Sequence, residues 1–226
     1  MQLLSVNVSK PRIRRFKLKF YTTGFQKQSI VGPVKVEQHN ILGDKQADLL
    51  NHGGLDKAVY GFSSDHFTHW QQHLGLAVIP YGKFGENLTL SDLDEKELAI
   101  GDRLQINDCV LEVCQPRIPC YKISFEFGHI PMLNDFIDYG HTGVYFRVIE
   151  EGTIEANSEV TLIYKHPENV TIYDLFKTHF DSKYPNQEQI MRQAIAIPEL
   201  AEQWRTKVNE RLHLIELYHQ RQKEKK

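Results

Sequence analysis

Cysteine is scarce in this 226-residue chain, and none of it is arranged for pairing. Cys109, Cys114 and Cys120 are the only thiols, and no two stand as CxxC. An odd, sparse set excludes a disulfide framework and fits a reducing compartment. Three thiols cannot by themselves hold a four-thiolate iron–sulfur cluster. No GxGxxG or P-loop pattern occurs, so neither common nucleotide cradle is signalled. Long hydrophobic runs are missing, which leaves no candidate for a bilayer-spanning helix. Excess charge of one sign is missing too. Lys plus Arg total 27 against 29 Asp plus Glu, a formal −2, without the global pull of a nucleic-acid binder. Met1 to Val8 offer no basic start and no small-residue cleavage site, so no signal peptide is read and a cytoplasmic location is expected. No internal repeat or low-complexity segment stands out.

What is present divides near residue 166. Residues 1–166 read as short strands punctuated by glycine and proline. Val31–Val36 is a turn entering a strand. Leu104–Asp108 and Cys109–Cys114 are the arms of a hairpin, with Cys109, Leu111 and Val113 on one face by period-two alternation. That placement predicts a buried, inert Cys109. Gly143–Ile149 and the alternation of Val160, Leu162 and Tyr164 give two further strands. Many strands at short spacing favour a barrel or a sandwich. One helix interrupts them, capped by Ser64 or Asp65 and carrying Phe67, Trp70 and Leu74. His66, His69 and His73 form a second stripe on it. Three imidazoles on one helix are a zinc possibility, weighed against a solvated border beside the core face; no HExxH pattern supports the metal.

After Lys165-His166-Pro167 the pattern turns helical. Thr171 with Asp174 caps a helix bearing Ile172, Leu175 and Phe176. Asn186 with Gln189 caps a second, bearing Ile190 and Ala194. Pro198 fits the first turn of a third, whose apolar stripe is Leu200, Trp204, Val208, Leu212 and Ile215. No helix there has a basic face fit for a DNA groove, which disfavours a helix-turn-helix reader. The expected architecture is mainly β, residues 1–166, with a few short helices, followed by a small three-helix domain, residues 167–226.

Four stretches carry polar chemistry. Gly43 to Tyr60 is a dense polar loop running into an apolar strand. Gly53 and Gly54 permit close ligand approach, and His52, Asp56 and Lys57 stand beside them. A tight turn with surface charges is the plainer alternative. Phe84 to Leu90 places Asn87 at the head of a strand, where its amide either meets a heterocycle or satisfies its own turn. Lys10, Arg12, Arg14, Arg15, Lys17 and Lys19 make a basic run, an anion patch or a solvated strand face. The fourth is Gln115 to Lys122. Pro116 and Pro119 exclude a helix interior, and Cys120 stands between Arg117 and Lys122. Cations near a thiol favour the thiolate, the form that attacks or binds metal. A small apolar residue in a turn is the bland alternative.

The order of these pieces resembles the MOSC family, named after the C-terminal domain of molybdenum-cofactor sulfurase, and within it the YiiM-type proteins. The matching residues are Thr23-Gly24, Gly32-Pro33-Val34, Gly43-Asp44, Gln46-Ala47-Asp48, His52-Gly53-Gly54 and Asp56 to Tyr60. They continue with Gly85 to Thr89, Gly101-Asp102, Pro116-Arg117, Pro119-Cys120, Lys122, Thr142-Gly143, Tyr145 and Arg147-Val148. The helical tail resembles the three-helix tail of YiiM-type members. One departure is Phe25, where a smaller aliphatic residue is expected after Thr23-Gly24.

The resemblance implies a MOSC-type β-barrel and a molybdenum cofactor (molybdopterin). Cys120 would be the catalytic residue and metal ligand, with His52, Lys57, Asn87, Arg117 and Lys122 holding the cofactor. The implied activity is reduction of N-hydroxylated bases such as N-hydroxylaminopurine. Electrons would come from a separate reductase, since the chain has no flavin or cluster signature. No nucleic-acid or membrane partner is expected. The rival is a non-catalytic carrier of molybdenum cofactor, or of persulfide sulfur on Cys120.

Overall fold

The computed structural model describes residues 1–48 and 53–223. The main sheet is built outward from two central strands with every residue buried, β7 (Val59–Ser63) and β10 (Cys109–Pro116). Strands covered on both faces read as continuous apolar runs rather than alternating ones. The sheet order is β13-β9-β10-β11-β7-β8-β1-β4. Its other members are β1 (Gln2–Val8), β4 (Gln28–Ser29), β8 (Leu88–Ser91), β9 (Arg103–Ile106), β11 (Val144–Glu150) and β13 (Val160–Tyr164). The hairpin expected at 104–114 is there, with Ile106 opposite Cys109. Cys109, Leu111 and Val113 face one core together. Strands β7 and β8 run parallel, which requires a crossover; it carries α1 (Phe67–Leu74). A smaller sheet joins β5 (Val34–Glu37) to β6 (Asn40–Ile41) and β12 (Gly152–Ile154). β2 (Arg12–Phe16) and β3 (Lys19–Thr23) form a separate hairpin.

The expected closed barrel is not found among the described residues. Closure would need one continuous ladder along the free edge of β1. That edge is divided instead: Asn7 and Val8 pair with β4, while Gln2 makes a single bridge to Glu159. The sheet curls until its ends touch, through Val160 N–H to Met1 O (3.1 Å) and Leu3 N–H to Ser158 O (3.0 Å), and stays open.

Helices α2 (Lys122–Phe127) and α3 (Met132–Tyr139) cover one end of the sheet. Beneath them and α1 lies an aromatic cluster of Phe62, Phe67, Trp70, Phe84 and Phe136. Three helices follow residue 167: α4 (Ile172–Phe180), α5 (Gln187–Ala196) and α6 (Glu202–Lys223). Leu175, Phe176, Met191, Trp204 and Val208 belong to the same apolar cluster as Leu104, Leu111 and Val144 of the sheet. The joint is hydrogen-bonded as well, from Ala201 N–H to Cys114 O (3.0 Å) and from Trp204 Nε1–H to Pro116 O (2.9 Å).

Several caps differ from the sequence reading. Thr171 caps α4, its Oγ1 accepting from Asp174 N–H at 3.0 Å. Asn186 precedes α5 in a left-handed conformation (φ 54°) without a side-chain cap bond, a backbone that Asn tolerates better than most residues. Pro198 lies in a turn, and α6 starts only at Glu202. Neither Ser64 nor Asp65 caps α1. Ser63 caps a 3-10 turn over Ser64–His66, which then runs into the helix.

Candidate active site

Cys120 sits at the junction of two adjoining hollows, spanning about 660 and about 820 Å3 out to their open mouths. Strand β10 ends at Pro116, residues 117–120 run as an irregular link, and α2 begins at Lys122. The prolines do what the sequence predicts: they end the strand and hold the link out of helical geometry. The three thiols separate cleanly. Cys109 and Cys114 are fully buried, whereas Cys120 is half-buried. Burial pushes the Cys109 thiol up to about 12 and that of Cys114 higher still, so neither is a thiolate near neutral pH.

Six cations border the hollows: Lys27, Lys45, Lys57, Arg117, Lys122 and Lys207. Lys57 and Lys122 line both, and Arg117 lines the smaller. Lys57 is delivered by a 3-10 turn, Leu55–Lys57. That turn is fastened to β10 and β11: Asp56 Oδ1 accepts from Arg147 Nε–H at 2.5 Å, and Asp56 O accepts from Gln115 Nε2–H at 2.8 Å. Burial pushes the Lys57 ammonium below its ordinary value, against the pull of Asp56 and of Cys114. Arg117 is buried. Its Nη1 donates to Tyr60 Oη (2.7 Å) and Phe84 O (3.0 Å), and its guanidinium stacks over Tyr60 and Phe25 at 4.6 and 5.3 Å from their ring centres. Among the described residues no carboxylate ion-pairs with it. Tyr60 is held in turn by donating to Thr142 O at 2.8 Å.

Asn87 lines the smaller hollow, but its amide is engaged by protein. Nδ2–H donates to Asn7 O (3.2 Å) and Asp44 Oδ2 (3.0 Å), while Oδ1 accepts from Tyr60 N–H (3.1 Å). It locks the strand end and positions Asp44. His52 lies outside the described residues.

Sequence reading missed the buried pair beside this wall. Lys27 Nζ donates to Asp44 Oδ1 and Oδ2 at 2.5 and 2.6 Å, and Asp44 Oδ1 also accepts from Ser9 N–H at 2.8 Å. Asp44 belongs to the Gly43–Tyr60 stretch already singled out; Lys27 carries no local signal. Glu86, fully buried next to Asn87, accepts from Gly82 N–H (2.5 Å) and Thr89 Oγ1–H (3.1 Å), and its Oε2 has no partner. Burial pushes its carboxyl up to about 7.

Phe25, the departure from the expected pattern, forms part of the wall. Gly85 has φ +86°, and a Cβ there would stand 3.3 Å from the Phe25 ring. The bulkier residue thus makes glycine at 85 doubly necessary.

The basic run at 10–19 is the β2–β3 hairpin. Arg14 pairs with Glu126 at 3.2 Å, while Arg15 and Lys17 lie over the hairpin's own Phe20 and Phe16. The histidine stripe also resolves. His69 stacks on Tyr139 at 3.9 Å between ring centres, while His66 and His73 each bond a carboxylate, Glu95 and Asp135.

This fold has known counterparts. The model of the MOSC domain matches residues 48–161, and the chain belongs to the MOSC family. The Bacillus subtilis protein YflK, described as uncharacterized, is 34% identical over 205 residues, 90% of each chain. The crystal structure of YiiM from Geobacillus stearothermophilus matches with a TM-score of 0.78 at 28% identity, over 93% of this chain and 98% of that one. Within the family, the chain is of the YiiM type. A Gibberella moniliformis protein named "Reductase" is 32% identical over 145 residues, 63% of this chain but 26% of that protein.

Proposed function

We propose that this chain is a molybdenum-cofactor-dependent oxidoreductase that reduces N-hydroxylated bases such as N-hydroxylaminopurine. The observation that carries the reading is Cys120: a half-buried thiol opening on two hollows bordered by Lys57, Arg117 and Lys122. The donor set fits the group. A thiolate is a soft metal ligand, and the cations suit a phosphate. When bound, the cofactor would supply the two-electron chemistry, as cofactors do.

The residues of the chain do the rest. Cys120 would ligate the metal. Lys57 and Lys122, lining both hollows, would bind the anionic arm as point charges. Arg117, stacked on Tyr60 and Phe25, is pre-oriented and would lose little freedom in accepting an anion. Asn87 would act by fixing Asp44 and the strand end. The name of the Gibberella relative supports a reductive reaction. Electrons would come from a separate reductase.

Elemental analysis of protein made with intact cofactor synthesis tests the reading. Stoichiometric molybdenum is expected in wild type and loss of it in Cys120→Ala, together with loss of N-hydroxylaminopurine turnover driven by a supplied reductant. A Cys120→Ala protein with full molybdenum and full turnover would overturn the assignment. Stoichiometric cofactor without turnover, given a competent donor, would favour the carrier.

A further inference from the structure

The histidine stripe on α1 leads to a second site, away from the Cys120 hollows. His73 lies in the last turn of α1, His129 in the turn between α2 and α3, and Asp135 in α3. The two imidazole Nε2 atoms both meet one carboxylate oxygen, Asp135 Oδ2, at 2.9 and 3.0 Å. All three ligand atoms lie within 4.8 Å of one another. Two bonds of about 2.1 Å at a tetrahedral angle place their donors about 3.4 Å apart. The two His–Asp separations are therefore about half an ångström shorter than in a zinc-bound set, an expansion within reach of side-chain rotation.

The backbones beneath are fixed. Trp70, Met132 and Phe136 are buried in the cluster under these helices. His129 N–H bonds Ser124 O and His129 O accepts from Met132 N–H, both at 3.1 Å. The outer side is open: His73 and His129 side chains are 40% and 38% exposed, which admits an ion and leaves a coordination position for water.

A related set, His66, Glu95 and His141, is built differently. Glu95 is wholly buried, its Oε1 accepts from Gly143 N–H at 3.2 Å, and His66 Nδ1 meets Tyr139 Oη at 3.0 Å. That group ties the 141–143 loop to the core and has no open side like that of the outer triad.

We propose that His73, His129 and Asp135 bind a divalent transition-metal ion, Zn2+ fitting best, that clamps α1 to α3 and to the turn after α2. Two imidazoles and one carboxylate are a common three-ligand zinc set. The inference rests on this geometry and is independent of the proposed reaction at Cys120.

The test is calorimetric titration with Zn2+ alone, on the Cys120→Ser protein so that the accessible thiol does not compete. One equivalent is expected, with a rise in melting temperature on adding zinc. Both are expected to be lost in His129→Ala and in Asp135→Asn, made in the same background and shown to melt cooperatively without metal. Co2+ should give visible d–d absorption in the parent and none in the two variants. No zinc uptake by the parent would overturn the proposal. So would a full equivalent retained in both variants, or an equivalent removed by His141→Ala but not by His129→Ala.

Discussion

Glu86 is where burial and protonation meet, behind the wall residues Gly85 and Asn87. Its carboxyl is fully buried, one oxygen lacks a partner, and burial pushes its value from 4.5 up to about 7. The folded state therefore holds the proton more tightly than the unfolded chain. Its stabilising contribution is complete below about pH 4.5 and is lost as pH rises through about 7. Glu86→Gln keeps the acceptor for Gly82 and does not titrate. Urea unfolding should find the variant gaining on wild type by roughly 3 kcal/mol between pH 4.5 and pH 8. A difference that stays flat over that window would mean the carboxyl is ionised throughout. Lys27 and Asp44 solve the neighbouring problem the other way, as a closed pair whose acid is also held by Ser9 and Asn87. Removing one partner of such a pair leaves a buried charge uncompensated.

The element that sets the cysteine is the end of β10, and α6 secures it. Trp204 is fully buried and its indole N–H donates to Pro116 O at 2.9 Å, one residue before the link to Cys120. Trp204→Phe keeps most of the packing and orphans that carbonyl, a loss of roughly 1–3 kcal/mol. We expect a matching drop in denaturation midpoint and reduced molybdenum retention, read by melting and elemental analysis; unchanged retention would uncouple α6 from the site. Elements with strong local signals were legible from sequence. The 104–114 hairpin follows from alternation, α4 from Thr171 as its cap, and the bend at Cys120 from two prolines. The start of α5 at Asn186 was legible too, although Asn186 takes a left-handed backbone and makes no side-chain cap; the start of α6 was not, because Pro198 serves a turn. Arg117 and Lys122 were visible as cations flanking the Cys120 thiol, and Lys57 as part of the polar Gly43–Tyr60 stretch, whose meeting with Cys120 only the fold provides. Lys27 was not, since its partner is 17 residues away and only tertiary folding joins them.

At the scale of the molecule, one core runs through the curled sheet and the C-terminal helices. Composition could announce strands followed by helices, but not that β1 would divide its free edge between β4 and a single bridge to Glu159. Nor could it show whether the helices close on themselves or on the sheet. Leu98, Ile100 and Val113 share a cluster with Leu175, Phe176, Trp204 and Val208, and residues 98 and 100 hydrogen-bond across to 170 and 172. Each fully buried large apolar side chain contributes about 1.5–3 kcal/mol. The set from the helices therefore rivals the entire stability of a typical domain, roughly 5–15 kcal/mol. Residues 1–166 made alone would bare the apolar partners of α4 and α6 and lose the bond that holds Pro116. The expected product is aggregated, or binds a hydrophobic dye and melts without cooperativity. A soluble 1–166 fragment with a sharp melt and a reactive Cys120 would show instead that the sheet is an independent folding unit and the helices an attachment to it.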